Sequence, residues 1–302
     1  MGDRVHQLFE NLSKTIVGKE DAIRLALVAL FSGGHALLED VPGVGKTLLA
    51  KSLARCIDGT FHRIQCTPDL LPSDVTGTNI WNPSTGEFQF LPGPVFAHVL
   101  LADEINRATP RTQSSLLEVM EEQQVTLDRA SRAVPTPFFV IATQNPVEYQ
   151  GTFPLPEAQM DRFALSFTLG YPSEGEEFKM LERLAAPTRP EELQPCITPE
   201  EVAAIQRQCA QVRIETSVRQ YLVALVRATR EHPDITLGVS PRGSVAFYRA
   251  AQAFAFLHNR DYVLPDDIKY LAAYVLAHRL IPAGGYQAKA LIASLLETVP
   301  VP

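Results

Sequence analysis

The stretch His35-Ala-Leu-Leu-Glu-Asp-Val-Pro-Gly-Val-Gly-Lys-Thr-Leu-Leu49 decides how the rest of the chain is read. A short apolar run ends in two carboxylates, a glycine-bearing turn follows, and Leu48, Leu49, Leu53, Cys56 and Ile57 recur at helical spacing. Strand, glycine loop and amphipathic helix in that order are the context of a phosphate-binding loop. Gly43 and Gly45 let backbone N–H groups wrap a triphosphate, Lys46 faces the β and γ phosphates, and the Thr47 hydroxyl is placed for Mg²⁺. The usual first glycine of such a loop is here Asp40.

Outward from that loop, the 302 residues suggest two compact domains, or one large domain with a smaller attachment. An apolar fraction of 46% and a charged fraction of 20% argue against a disordered or fibrous chain. The net charge of −7 gives no general attraction to duplex nucleic acid or anionic lipid, so a nucleic-acid partner is not expected. Four cysteines, at 56, 66, 196 and 209, lack zinc-site spacing and are few for a disulfide framework, which fits a reducing, cytoplasmic setting. No run approaches the ~18 apolar residues of a membrane span, and residues 1–10 read as neither signal peptide nor anchor.

Short apolar runs alternate with helical patterns up to about Pro172, as parallel strands joined by crossover helices require. The expected strands are His35 to Leu38, Phe61 to Gln65, His98 to Ala102, Phe138 to Thr143 and Phe163 to Thr168. Beyond Pro172 helix starts take over: Thr198-Pro-Glu-Glu201, Ser217, Ser240-Pro241 and Pro265-Asp-Asp267. The expected fold is therefore an α/β domain over 1–184 followed by a small helical domain over 185–302, with Ala185 to Pro195 as the connection. Between Leu70 and Phe96 the prolines and glycines point to an inserted hairpin, Asn79 to Trp81 pairing with Glu87 to Phe90. A second hairpin is expected from Val125 to Leu127 with Phe138 to Val140, across a polar turn.

Three more groups carry chemistry. The buried run from His98 ends in Asp103 and Glu104, at the strand edge where open α/β sheets collect ligands. Asp103 suits Mg²⁺ through a water, and Glu104 suits alignment and deprotonation of a water attacking the γ phosphate. Asn145 ends the strand from Phe138, where its amide can hold that water or a phosphate oxygen. Arg162 precedes the last core strand and has a catalytic reading only if a neighbouring subunit supplies the phosphate. Arg242 falls in the first turn of a predicted helix, where a cation is disfavoured unless an anion faces it.

Together these segments resemble the AAA+ ATPases, and within them the MoxR family, from about Ile16 to Leu280. The resemblance rests on Val17-Gly-Lys-Glu20, Leu37 to Thr47, Asp103-Glu-Ile-Asn-Arg-Ala108, Ala142-Thr-Gln-Asn-Pro146, Leu155 to Phe163 and Ser240-Pro-Arg-Gly243. It implies a Walker A loop at Gly43 to Thr47 with Pro42, Val44 and Leu48 beside the nucleotide, and Walker B at Asp103 and Glu104. It likewise implies sensor 1 at Asn145, an arginine finger at Arg162, sensor 2 at Arg242, and Ile16, Val17 and Gly18 along the adenine. The Leu70 to Phe96 segment then corresponds to a helix 2 insert and Val125 to Val140 to a pre-sensor hairpin.

The resemblance further implies ATP and Mg²⁺ as cofactors and a ring of identical subunits, a hexamer. The output implied is chaperone-like remodelling of protein clients, with partners carrying von Willebrand factor A domains supplied by another chain. On this reading the helical lid carries Arg242 into each site. A magnesium-chelatase-like ATPase subunit, a P-loop kinase of a small molecule and a nucleotide-gated binding module remain the rival readings of the same residues. A kinase would be a monomer and leaves Arg162 and the Asp103-Glu104 pair without a shared task.

Overall fold

The computed structural model describes residues 2–128, 130–145, 151–183 and 189–302. Two helices open the chain, α1 (Gly2–Thr15) and α2 (Glu20–Phe31). Every residue of α2 from Leu25 to Phe31 is buried, so this helix is enclosed rather than amphipathic. The chain then enters β1 (Ala36–Glu39), α3 (Lys46–Cys56), β2 (Phe61–Gln65) and a short α4 (Pro72–Thr76). A hairpin of β3 (Gly77–Asn82) and β4 (Glu87–Pro92) leads to β5 (Val99–Asp103) and α5 (Pro110–Glu122). A second hairpin, β6 (Gln124–Leu127) with β7 (Ala130–Ala133), precedes β8 (Phe139–Gln144), the single-turn α6 (Glu157–Met160), β9 (Leu165–Phe167) and α7 (Glu174–Arg183).

Strands β2, β5, β8, β1 and β9 lie side by side in that order, all parallel. Leu37 stands beside Ala142 and Ser166, and Leu101 beside Arg63 and Ile141. Central strands of a parallel sheet are covered on both faces, which is why Val99 to Ala102 and Phe139 to Ala142 are apolar throughout. The register aligns the carboxyl ends of β1, β5 and β8, so Glu39, Asp103 and Gln144 finish along one edge of the sheet.

The first hairpin forms as the sequence suggests, with Trp81 opposite Phe88 and Asn79 opposite Phe90. The second pairs differently. Its returning arm is Ala130–Ala133, with Val125 opposite Arg132, whereas Phe139 and Val140 belong to β8 in the central sheet. The apolar run is drawn into the core, at 1% and 0% exposure for those two residues, and the polar Ala-Ser-Arg-Ala segment forms the exposed arm.

The lid comprises α8 (Pro199–Cys209), α9 (Thr216–Glu231), α10 (Pro241–Leu257), α11 (Pro265–Leu276) and α12 (Ala288–Thr298). One small antiparallel pair, β10 (Ile235–Leu237) with β11 (Ile281–Pro282), interrupts the all-helical expectation. Thr198 caps α8 in a reciprocal pair with Glu201, and the Ser240 hydroxyl accepts from Gly243 N at the start of α10. Of the expected connection Ala185 to Pro195, residues 185–188 lie outside the described residues. Downstream of them Cys196 N and Ile197 N both donate to Cys56 O, fastening the start of the lid to the end of α3.

Candidate functional site

The loop between β1 and α3 takes its shape from glycine. Gly43 and Gly45 have φ of 87° and 99°, the left-handed region that an L side chain rarely adopts, and nothing lies within 4 Å of the Cβ position of either. Gly45 directly precedes α3, so the first amides of that helix open toward the loop. Lys46 is 9% exposed, and its ammonium donates to the neutral Asp40 carbonyl oxygen at 3.0 Å. Asp40 contributes no carboxylate to the loop interior. Both of its carboxylate oxygens accept backbone amides, from Leu169 and Gly170, just beyond β9.

Two carboxylates stand across from this loop. The Thr143 hydroxyl on β8 donates to Asp103 Oδ1 at 2.6 Å and accepts from Glu104 N at 2.8 Å, fixing both residues from the neighbouring strand. Glu104 has φ 55°, an unfavourable conformation for a residue with a Cβ, of the kind found where a site imposes its geometry. From β2, Arg63 lies 2.6 Å from Asp103 Oδ2 and Gln65 Nε2 donates to Glu104 Oε2 at 3.0 Å. Glu104 Oε2 also pairs with Arg107 at 3.1 Å.

A cavity of about 440 Å³ lies between loop and carboxylates. Pro42, Gly43, Gly45, Lys46, Thr47 and Leu48 line it on one side, Asp103, Glu104 and Asn145 on the other. A volume of this order suits a small-molecule site. The donor set suits a triphosphate with a hard cation: open glycine backbone, a buried ammonium, a hydroxyl, and oxygen ligands without sulfur. Arg63 and Gln65 also line the cavity and are absent from the motif reading. Their signal was an i, i+2 pair of polar side chains on a strand beside Asp103, which composition alone does not single out.

The remaining candidates lie elsewhere. Val44 packs against the main core, and Ile16 is buried in it at 5% exposure. Gly18, at φ 70°, is covered by the Glu176 side chain of α7. Among the described residues, Ile16, Val17 and Gly18 do not line the cavity. Pro146 lies outside the described residues.

Arg162 and Arg242 are brought together, but not at their own chain's phosphate loop. They line a second cavity, of about 140 Å³, with Arg249, Gly33 and Gly34. Gly34 precedes β1 and the phosphate loop follows it, so the two cavities sit at opposite ends of a four-residue strand, roughly 13 Å long. The helical lid therefore does not carry Arg242 to the loop of the same chain. Ser240 explains its placement: its hydroxyl donates to Asp161 Oδ2 at 2.6 Å, which sets the start of α10 against the segment bearing Arg162.

No helix among the described residues is long and apolar enough to cross a membrane. Residues 35–165 match the family described as ATPases associated with various cellular activities (AAA), and residues 227–294 match the AAA lid domain. The chain is 51% identical to the uncharacterised protein YeaC of Bacillus subtilis, covering 97% of this chain and 93% of the relative. It is 41% identical to Chaperone MoxR1 of Mycobacterium tuberculosis, over 91% of this chain and 74% of that one. Protein MoxR of Methylorubrum extorquens is 31% identical over 99% and 96% of the two chains. A crystal structure of a candidate ATPase from Cytophaga hutchinsonii superposes with a TM-score of 0.92 at 39% identity, covering 100% of this chain and 96% of that one. Loop, carboxylate pair, parallel sheet and lid thus agree with the comparisons: the chain belongs to the MoxR family of AAA ATPases.

Proposed function

We propose that this chain hydrolyses ATP where two copies adjoin, one gripping the triphosphate and the other supplying positive charge, and uses the cycle to remodel or mature partner proteins. The observation that carries the reading is the joint placement of Arg162 and Arg242, about a strand length from their own phosphate loop and facing a separate cavity. Two guanidinium groups so far from the chain's own phosphate loop serve a phosphate best if it belongs to a neighbour.

Within one copy, the backbone at Gly43 to Gly45 with Lys46 cradles the phosphates, and Pro42, Val44 and Leu48 hold the turn around them. Thr47 and Asp103 would hold Mg²⁺, which when bound supplies charge neutralisation at the β and γ phosphates. Glu104 orients the attacking water and takes its proton, with Gln65 positioning the carboxylate, while Asn145 steadies the water or a γ oxygen. Ile16, Val17 and Gly18 would border the adenine. The assembly proposed is a homo-oligomeric ring, a hexamer, and the client is a protein, in keeping with the relative described as a chaperone.

The test is complementation between subunits. Arg162→Ala keeps its own Walker carboxylates, and Glu104→Gln keeps its arginines, so mixing two chains inactive alone should restore turnover at the mixed interfaces. Each variant alone is expected to lose at least about 10²-fold in rate. Activity that is only the sum of the two preparations would show that each site is complete within one chain.

A further inference from the structure

Arg162 and Arg242 share one carboxylate. Arg162 Nη2 lies 3.1 Å from Glu121 Oε2, and Arg242 Nη2 pairs with the other oxygen, Oε1. One carboxylate balances only one of two guanidinium charges, and Asp161 is already engaged by Arg279 and Ser240. Arg162 Nε is buried without a hydrogen-bond partner among the described residues. Arg242 sits in the first turn of α10, where the helix dipole favours an anion over a cation. Among the described residues the cluster is thus under-neutralised, and its geometry suits an anion with more charge and more acceptor oxygens than Glu121 offers.

We propose that Glu121 is a latch: it holds both arginines in the free chain and yields them to the terminal phosphate of a nucleoside triphosphate bound by the adjoining copy. The inference rests on the shared-site reading above. The exchange is feasible because Glu121 and Arg242 are 36% and 44% exposed, so their contact is a weak, water-screened ion pair; Arg162, at 28%, is more enclosed but meets the same exposed carboxylate, which a multiply charged phosphate displaces.

The position of Glu121 gives the exchange a mechanical consequence. It is the next-to-last residue of α5; the helix ends at Glu122, Gln123 turns at φ 53°, and β6 begins at Gln124. Freeing Glu121 therefore removes a side-chain tether three residues before the β6–β7 hairpin, whose base keeps its backbone bonds from Gln123 N to Val119 O and from Val134 N to Gln123 O. The hairpin is tied in turn to the β3–β4 insert, through Asn79 to Asp128 at 2.6 Å and Arg132 stacked over Phe90 at 4.2 Å. Arrival of a triphosphate in one copy is then felt at both projecting hairpins of the next.

The experiment uses full-length chains in the Glu104→Gln background, which binds ATP without turning it over, and follows assembly by sedimentation velocity as Mg-ATP is added. Glu121→Gln removes the competing charge at constant shape and lowers the ATP concentration for half-maximal assembly by at least about threefold. Glu121→Asp, which keeps the charge, stays within about twofold of the parent, as does Glu122→Gln, which removes a neighbouring charge. A midpoint that is unchanged or raised by Glu121→Gln, or lowered equally by Glu122→Gln, overturns the latch. A structural role alone would weaken assembly rather than strengthen it. Should the parent not respond to ATP at all, the shared-site reading fails and the latch with it; an ATP-responsive parent with an unmoved Glu121→Gln removes the latch only.

Discussion

Asp40 stands where a phosphate-binding loop commonly has glycine, and its carboxylate is fully occupied away from the cavity by the amides of Leu169 and Gly170. At 4% exposure it acts as a clasp between the start of the loop and the end of β9, not as a charge competing with phosphate. Hydrogen bonds to a buried ionised group contribute about 1.5–3 kcal/mol each. With two such bonds, Asp40→Ala should lower stability to urea by roughly 3–6 kcal/mol, although it brings the loop nearer to the common pattern. A loss below about 0.5 kcal/mol, the range of an ordinary surface change, would show that the clasp contributes nothing. At this scale the sequence was most informative for residues whose role is local. Gly43, Gly45, Lys46 and Thr47 lie within one turn, whereas Arg63, Gln65 and Thr143 matter only because β2 and β8 flank β5.

Elements were legible where the hydrophobic pattern had one interpretation. The five expected runs became the five strands of the sheet; the central β5, β8 and β1 are apolar because both faces are covered, whereas the edge strand β2 exposes His62, Arg63 and Gln65. The returning arm of the β6–β7 hairpin leaves no trace in the hydrophobic pattern because an exposed arm needs no apolar signal, while the buried Phe138-Phe-Val-Ile run offers a stronger one to the core. His35, read only as a strand start, knits three elements together. Its Nδ1 accepts from Val140 N and its Nε2 lies 3.1 Å from Met120 O, so the ring is neutral with the proton on Nε2. Burial pulls its pKa from 6.5 down to about 4, and burial beside Arg279 holds His278 well below 6.5 as well. Unfolding frees both rings to take protons at 6.5, so the stabilisation is complete above that pH and is lost as pH falls from 6.5 toward 4. For His35, a drop of 6.5 − 4 = 2.5 at ~1.36 kcal/mol per pH unit is roughly 3 kcal/mol. Urea unfolding at pH 6.5 and at pH 4 checks this: the slope should be shallower in His35→Gln, and an unaltered slope would remove the ring from the account.

At the scale of the whole molecule, the decisive feature is the seam between lid and sheet. Arg279 is 4% exposed, donates from Nε to Asp161 at 2.8 Å and is pulled down to about 10 by burial, and it also reaches the Ala164 carbonyl oxygen. With Ser240 on the other oxygen of Asp161, lid and sheet are bound at the residue preceding Arg162. The two arginines therefore move as one body. No reading of local pattern could place Arg242, because its position depends on how α10 docks onto Asp161, 79 residues earlier in the chain, rather than on its own turn. That docking points the arginine pair outward and makes sharing of each triphosphate between copies the central claim. The most direct test is the steady-state rate of ATP turnover per chain, followed through a dilution series at saturating Mg-ATP with the size of the species recorded at each step. Turnover per chain should collapse as oligomers give way to single chains; a rate that stays constant down to demonstrably solitary chains would contradict the account.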